Sequence, residues 1–388
     1  MKALGESDDM EAQTKYMKRT VVWVVLLAAQ CLSTAAAMEP STDVALGLPS
    51  QALVRDDTVS TPTCVDLGRR LFNDKTLSGD GQISCSSCHA PDKAFVDGLP
   101  VARGIGGQLG ARNAPTLLNV AWQTSMFWDG RVARLEEQAL KPILNPIEHG
   151  LPSGIALLRT VERNPEYRQA FARAFPSTKP TITLARIGQA LACYERTLVA
   201  ADSPFDRYQF AGDRNALTPA AMRGIELFRG RAGCAACHRI DQKNATFMDG
   251  RFHRRGIGFQ EVQPRLTQIA DRVTGDSAAR DRLIIGDPDV ARLGRFVVTG
   301  DPKDIGSFKT PTLRNVALTG PYMHDGSVPT LERAVVLEAY YGAFDGAKPV
   351  VLSAREVQDV VEFLKSLTSP WAEPSPRSAS ASPEVPPQ

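Results

Sequence analysis

The feature that most constrains this chain of 388 residues is a pentad that occurs twice, "CSSCH" at Cys85–His89 and "CAACH" at Cys234–His238. A C-x-x-C pair by itself leaves zinc binding or thioredoxin-like redox chemistry open. A histidine directly after the pair, in both copies, reads as attachment of haem c. Two thiols one helical turn apart can add to the two haem vinyl groups, and the adjacent imidazole then faces the iron as proximal ligand. The expectation is two covalently bound haems, one on Cys85, Cys88 and His89, the other on Cys234, Cys237 and His238. The length of the chain suits two domains rather than one.

Each pentad precedes a copy of a longer pattern. "PTLLNVAWQTSMFWDGRVARLEEQAL" from Pro115 and "PTLRNVALTGPYMHDGSVPTLERAVV" from Pro311 align without a gap at an offset of 196 residues. The chain therefore reads as an internal duplication with one haem per half. The fold class expected is mostly α, two cytochrome c-like haem domains joined through long Gly/Pro-rich loops. The N-terminal haem domain spans 55–203 and the C-terminal one 204–345. A C-terminal helix within 346–368 packs on the domains, returning to the first.

The loop and helix after each pentad form a natural wall for the far side of each haem, so the repeat lets the two walls be compared position by position. Seven residues after Leu135 stands Pro142, and seven after Leu331 stands Glu338. Proline cannot ligate iron and breaks a helix. Glu338 can ligate, and Tyr341 three residues on shares its helical face. Tyr340 is less well aligned. The first haem should thus be open to a small substrate and the second closed by an anionic oxygen, from Glu338 in the gapless register or from Tyr341 or Tyr340 just beyond it. Met323 is assigned to the core. His149 reads as a satisfied loop histidine, and His253 and His324 as donors to a propionate or a structural hydrogen bond. Cys64 and Cys193 could pair, but are read as two buried thiols.

These segments resemble the bacterial di-haem cytochrome c peroxidase and MauG superfamily. The resemblance rests on "CSSCH", "RNAPTLLNVA", "FWDGRVARLEEQALKPILNPIEHG", "CAACH", "FKTPTLRNVALTGPYMHDG" and "LTSP", and runs from about Leu67 to Leu367. It implies a relay role for Trp128 between the haems, a distal glutamate at Glu148, and further distal-pocket members at Gln138 and Pro142. It also implies a calcium site at Asn113, Thr319 and Pro321, a set of hard oxygen donors. Peroxidases of this family that need reductive activation carry a removable histidine ahead of "RN". Here that stretch is "VARGIGGQLGARN", without one. Ordinary members also place methionine where Glu338 stands and MauG-like ones a tyrosine, so the resemblance ranks Tyr341 or Tyr340, brought to the site by a small insertion in the helix, ahead of Glu338. Both departures favour the MauG-like subtype.

The resemblance implies an enzyme that reduces hydrogen peroxide at the first haem, with electrons from a periplasmic donor protein, a small cytochrome c or a cupredoxin. One alternative is a MauG-like enzyme that oxidises side chains of a partner protein, and another is a non-catalytic electron carrier. A distal carboxylate can move a proton between the peroxide oxygens as base and then acid. A net charge of +2 gives no reason to expect nucleic acid or an anionic membrane surface as partner. Lys18, Arg19 and the apolar run Val21–Ala29 read as an export signal over 1–37, with translation starting at Met17 because 1–16 are acidic. The run is too short to span a bilayer. Export implies the periplasm, and the Pro/Ser-rich stretch 369–388 reads as a disordered tail.

Overall fold

A computed structural model describes residues 45–50, 60–176, 179–273, 277–342 and 348–371. The export signal, and the tail beyond Trp371, lie outside the described residues. The first half contains α1 (Pro62–Asn73), α2 (Cys85–Cys88), α3 (Leu135–Gln138), α4 (Lys141–Leu144), α5 (Gly154–Arg163), α6 (Pro165–Ala174) and α7 (Leu184–Glu195). The second contains α8 (Pro204–Phe210), α9 (Pro219–Arg229), α10 (Phe259–Val262), α11 (Leu266–Val273), α12 (Ser277–Gly286), α13 (Pro288–Ala291), α14 (Phe296–Thr299), α15 (Leu331–Tyr341) and α16 (Ala354–Lys365). Among the described residues, one short antiparallel ribbon, β1 (Phe252–Arg254) with β2 (Ser307–Lys309), is the sheet. The fold is thus mostly helical. Among the described residues no helix is long and apolar enough to cross a membrane.

The duplication seen in sequence is a duplication of packing. In each half a threonine caps the leading helix and a proline follows at its first turn: Thr61 and Pro62 for α1, Thr218 and Pro219 for α9. Each leading helix crosses the closing helix of its half at a glycine. A Cβ on Gly68 would lie 1.9 Å from the Ala190 carbonyl oxygen, and one on Gly224 would lie 1.9 Å from that of Asp359. The backbones can approach this closely only because neither glycine carries a side chain. Phe72, Ile187, Leu191 and Tyr194 fill the first core, and Phe228, Phe247, Val360 and Phe363 the second.

Two asparagines fix the register of these halves. Asn119 and Asn315 both adopt left-handed backbone (φ 60° and 59°). The Asn119 backbone N–H donates to Leu198 O and its Nδ2 to Ala200 O, at 2.8 and 2.9 Å. The same two groups of Asn315 donate to Leu367 O and Ser369 O, at 3.1 and 2.8 Å. The end of α7 thereby corresponds to the end of α16 at an offset of 169 residues.

Two expectations are corrected. Helix α16 packs on α9 and α15 in the second core, because Val357, Val360, Val361, Phe363 and Leu364 form its buried face. The chain beyond it returns to the first half, where Trp371 Nε1 donates to Pro91 O at 3.1 Å. Cys64 and Cys193 are a disulfide, with Cα atoms 5.9 Å apart across the α1–α7 crossing. Their separation of 129 residues is worth about 4–5 kcal/mol in a chain-entropy account. Sequence spacing could not show that α1 and α7 meet.

The halves also differ. The pentads lie 149 residues apart and the patterns after them 196, so the second half holds 47 more residues between the two. This insertion carries its own core of Val262, Ile269, Ile284, Val290 and Leu293. It lies against the first half: Ala111 N donates to Ile285 O at 2.6 Å, Arg112 Nη2 to Ala291 O at 3.0 Å, and Lys141 Nζ meets Asp281 Oδ2 at 2.9 Å. Arg314 is buried, and each of its three guanidinium nitrogens donates a hydrogen bond. It donates to both Asp206 carboxylate oxygens at 2.8 and 2.9 Å and to the carbonyls of Gly47 and Ala245 at 2.6 and 2.9 Å.

Candidate haem sites

Each pentad lines its own cavity. Cys85, Cys88 and His89 border a narrow one of about 140 Å³, and Cys234, Cys237 and His238 a wider one of about 900 Å³. The two proximal imidazoles are held alike. Phe95 and Phe247 take left-handed backbone (φ 59° and 55°), and their carbonyls lie 3.1 and 2.9 Å from the Nδ1 of His89 and His238. An Nδ1–H donated to a carbonyl fixes the tautomer that leaves Nε2 as the ligand. Burial pushes both imidazoles below the usual histidine value, toward the neutral form that iron binds. The donor sets therefore fit haem c in both cavities.

The first cavity gathers Gln138, Pro142, Glu148 and His149. Pro142 sits in the first turn of α4 and separates it from α3, so no helical side chain with a ligating atom occupies that place. Glu148 as a residue is part-exposed, yet its Oε2 is sealed from solvent and has no hydrogen-bond partner. Burial pushes its carboxyl up to about 7, against the opposing pull of the Arg131 guanidinium. His149 is buried, with Nδ1 3.0 Å from Leu77 O, a satisfied loop histidine as expected.

Of the three far-side candidates for the second cavity, the structure brings Glu338 to its lining and neither tyrosine. Tyr340 is half exposed and stacks edge-on against Tyr341, and neither borders the cavity. Glu338 does border it. Helix α15 runs unbroken to Tyr341, so the gapless register holds and nothing shifts a tyrosine into the place of Glu338. Arg255 Nε donates to Glu338 Oε2 at 2.7 Å, and its Nη2 to Glu338 O at 2.6 Å. Met323 lines the cavity as well, rather than the packed core. The Cys237 thiol and Asp249, 2.7 Å from its Nε2, push His253 up to about 9. The thiol's share vanishes once Cys237 is a thioether. His324 stacks on Phe308 with ring centroids 3.7 Å apart, and its Nε2 has no hydrogen-bond partner among the described residues.

Trp128 and Asn113 line both cavities, and Trp128 Nε1 donates to Asn113 O at 2.9 Å. Asn113 Nδ2 donates to Leu99 O and Pro100 O, so its side-chain oxygen is the atom it could offer a cation. Thr319 and Pro321 border the second cavity with it. Sequence reading missed three residues here. Lys309, buried and pushed down to about 8 by burial, bonds Gln123 and Ser125 O, while its backbone N–H donates to Trp128 O at 2.8 Å. Arg255 was the second. The third, Glu195, is a buried carboxyl in the first cavity. The repeat "F-x-D-G" at Phe95 and Phe247 was a readable sign of the paired imidazole anchors.

Comparison with known proteins agrees with this geometry. The family described as di-haem cytochrome c peroxidase matches residues 62–215. A cytochrome-c peroxidase, IdrP1, of Denitromonas iodatirespirans is 34% identical, over 92% of this chain and 96% of the relative. The methylamine utilization protein MauG of Methylorubrum extorquens is 36% identical, over 79% of this chain and 78% of its own. Among solved structures, a MauG-like protein associated with microbial copper homeostasis is similar with a TM-score of 0.65 and 32% identity, covering 84% of this chain and 95% of that one. The di-haem peroxidase BthA of Burkholderia thailandensis gives 0.61 at 26% identity, covering 82% and 87%.

Proposed function

Since the chain belongs to the di-haem cytochrome c peroxidase and MauG family and is a haem oxidoreductase, we propose that it reduces hydrogen peroxide in the first cavity with electrons from a periplasmic protein donor. Bound haem iron supplies the redox centre at which the peroxide O–O bond is split. The chain's own residues do the rest. Glu148 takes a proton from one peroxide oxygen and returns it to the other, and its place near pH 7 suits both directions. Gln138 orients the peroxide by hydrogen bonding. Pro142 keeps the approach free of a protein ligand. Trp128, bordering both cavities, passes electrons between them. Glu338 would hold the iron of the second haem through its carboxylate, kept in place by Arg255. Asn113, Thr319 and Pro321 would hold a calcium ion through neutral oxygens.

The observation that carries this reading is the sealed, unpartnered Oε2 of Glu148 in the cavity of Cys85, Cys88 and His89. Replacing Glu148→Gln should lower peroxide turnover by roughly 10²–10⁴-fold while leaving the haem spectra unchanged. Unchanged turnover removes the role. A second reading, oxidation of side chains on a partner protein, is favoured by the histidine-free stretch 101–113 and by Glu338 in place of methionine. Adding peroxide to the resting diferric protein without donor separates the two. Rapid formation of an oxidised state shared by both haems supports the second reading, and a slow, unshared reaction supports the first.

A further inference from the structure

Helix α7 ends on a carboxylate that the mechanism above does not use. Glu195 is 4% exposed and lines the first cavity together with Glu148 and Cys85. Its Oε2 has no hydrogen-bond partner. The adjacent Arg196 commits its Nη2 to Glu136 Oε1 at 2.6 Å. A buried carboxyl oxygen without a partner costs stability, on the order of 1–3 kcal/mol, so an apolar residue would serve the packing better.

The duplication shows that an apolar residue can stand there. The asparagine ties of Asn119 and Asn315 place Glu195 in register with Leu364, at the same offset of 169 residues. Leu364 is buried and lines the second cavity. The same wall position thus borders both cavities, and it carries a carboxyl only where the chemistry is proposed to occur.

We propose that Glu195 is a second proton-holding residue of the first cavity, which stores a proton there and releases it during peroxide reduction. The inference rests on the reading that this cavity reduces peroxide. In that reaction the O–O bond breaks, two electrons arrive from the donor protein, two protons are consumed and two waters leave. Glu148 shuttles a proton from one oxygen to the other, which supplies no net proton. Glu195 supplies one of the two from within the protein, solvent supplies the other, and solvent recharges Glu195 between turnovers. Burial keeps its proton on at neutral pH, pushing the carboxyl up to about 8. The Arg196 guanidinium opposes this and Glu136 on α3 reinforces it. On α2 the facing group is Cys85, a neutral thioether once haem is attached.

The test uses the haem-loaded protein with Glu195→Gln, which keeps shape and burial, and Glu195→Leu, which installs the second half's own residue. Infrared difference spectra of the wild type at pH 7 should show a protonated carboxyl band that shifts in heavy water and is lost in Glu195→Gln. Peroxide turnover should fall tenfold or more in both variants. Wild-type turnover should decline as pH rises through about 8, where Glu195 arrives without its proton, and the variants should lose that limb. Haem spectra should be unaltered. Wild-type rates with a wild-type pH profile in either variant overturn the inference, and so does an ionised Glu195 in the resting protein. If the wild type itself turns over no peroxide, the proposed function fails instead, and the infrared band still reports whether Glu195 holds a proton.

Discussion

The far walls of the two cavities come from one ancestral segment and have diverged at its hinge. In the first half the segment is two short helices, α3 and α4, with Pro142 in the first turn of the second. In the second half it is a single helix, α15, with Glu338 at the equivalent place. A proline removes a backbone donor and crowds the preceding turn. A single substitution therefore breaks the helix and removes a ligating side chain together. The second wall keeps its helix and offers a carboxylate, clamped by Arg255. Glu195 opposite Leu364 repeats the asymmetry on another wall. Carboxyls with raised proton affinity, Glu148 and Glu195, collect in the first cavity, and their burial is the cause. Under the proposed function, a site that handles protons and a site that only passes electrons would share one scaffold.

That comparison can be broken most forcefully at a structural difference. The first half has Leu118 where the second has Arg314, in register at 196 residues. Giving the second half the first half's residue, Arg314→Leu, strands the buried Asp206. It should cost about 3–5 kcal/mol, measured by denaturant unfolding of the haem-loaded protein. A loss below about 1 kcal/mol would mean that the pair is dispensable and the halves more alike than they look. The next largest effect concerns the second iron. Glu338→Met should replace an anionic oxygen by a thioether and raise that haem's reduction potential, within the roughly 0.8 V that axial ligands command. Redox titration with magnetic resonance would follow it. An unmoved potential would show that Glu338 is not a ligand.

The smallest effect is a difference in pH response. Glu148 accepts a proton only when ionised, and its carboxyl lies near 7. Peroxide consumption should therefore drop about tenfold for each pH unit below that value. Reduction of the second haem by a small artificial donor should stay level over the same range. Two parallel profiles would erase the proposed division of labour. In the full profile this acid limb joins the alkaline limb assigned to Glu195, giving a bell.

Much of the site was legible in the chain. C-x-x-C-H fixes three chemical roles by covalent adjacency, and the gapless repeat carries Pro142 onto Glu338 with no structural input. Less legible was which of Glu338, Tyr340 and Tyr341 reaches the cavity, where the resemblance ranked a tyrosine ahead of the residue in the gapless register. Helical spacing places Tyr341 on a shared face, but whether that face reaches the cavity depends on where the helix axis lies. Cys64 and Cys193 escaped for a similar reason, because their pairing depends on a helix crossing. Arg255 and Lys309 act on residues 83 and 186 positions away, beyond any periodicity.

By itself the sequence determined that the C-x-x-C-H pentad expected of haem attachment occurs twice, that the two copies belong to a duplicated unit, and that the two far walls differ in chemistry. Those are facts of bonding and of register along one chain. The tertiary structure alone decided that Glu148 and Glu195 are sealed in one cavity, that Leu364 takes the matching place in the other, and that Trp128 borders both. Burial and contact between distant segments are set when helices pack, and the proton affinity of a carboxyl follows from that packing rather than from its neighbours in the chain.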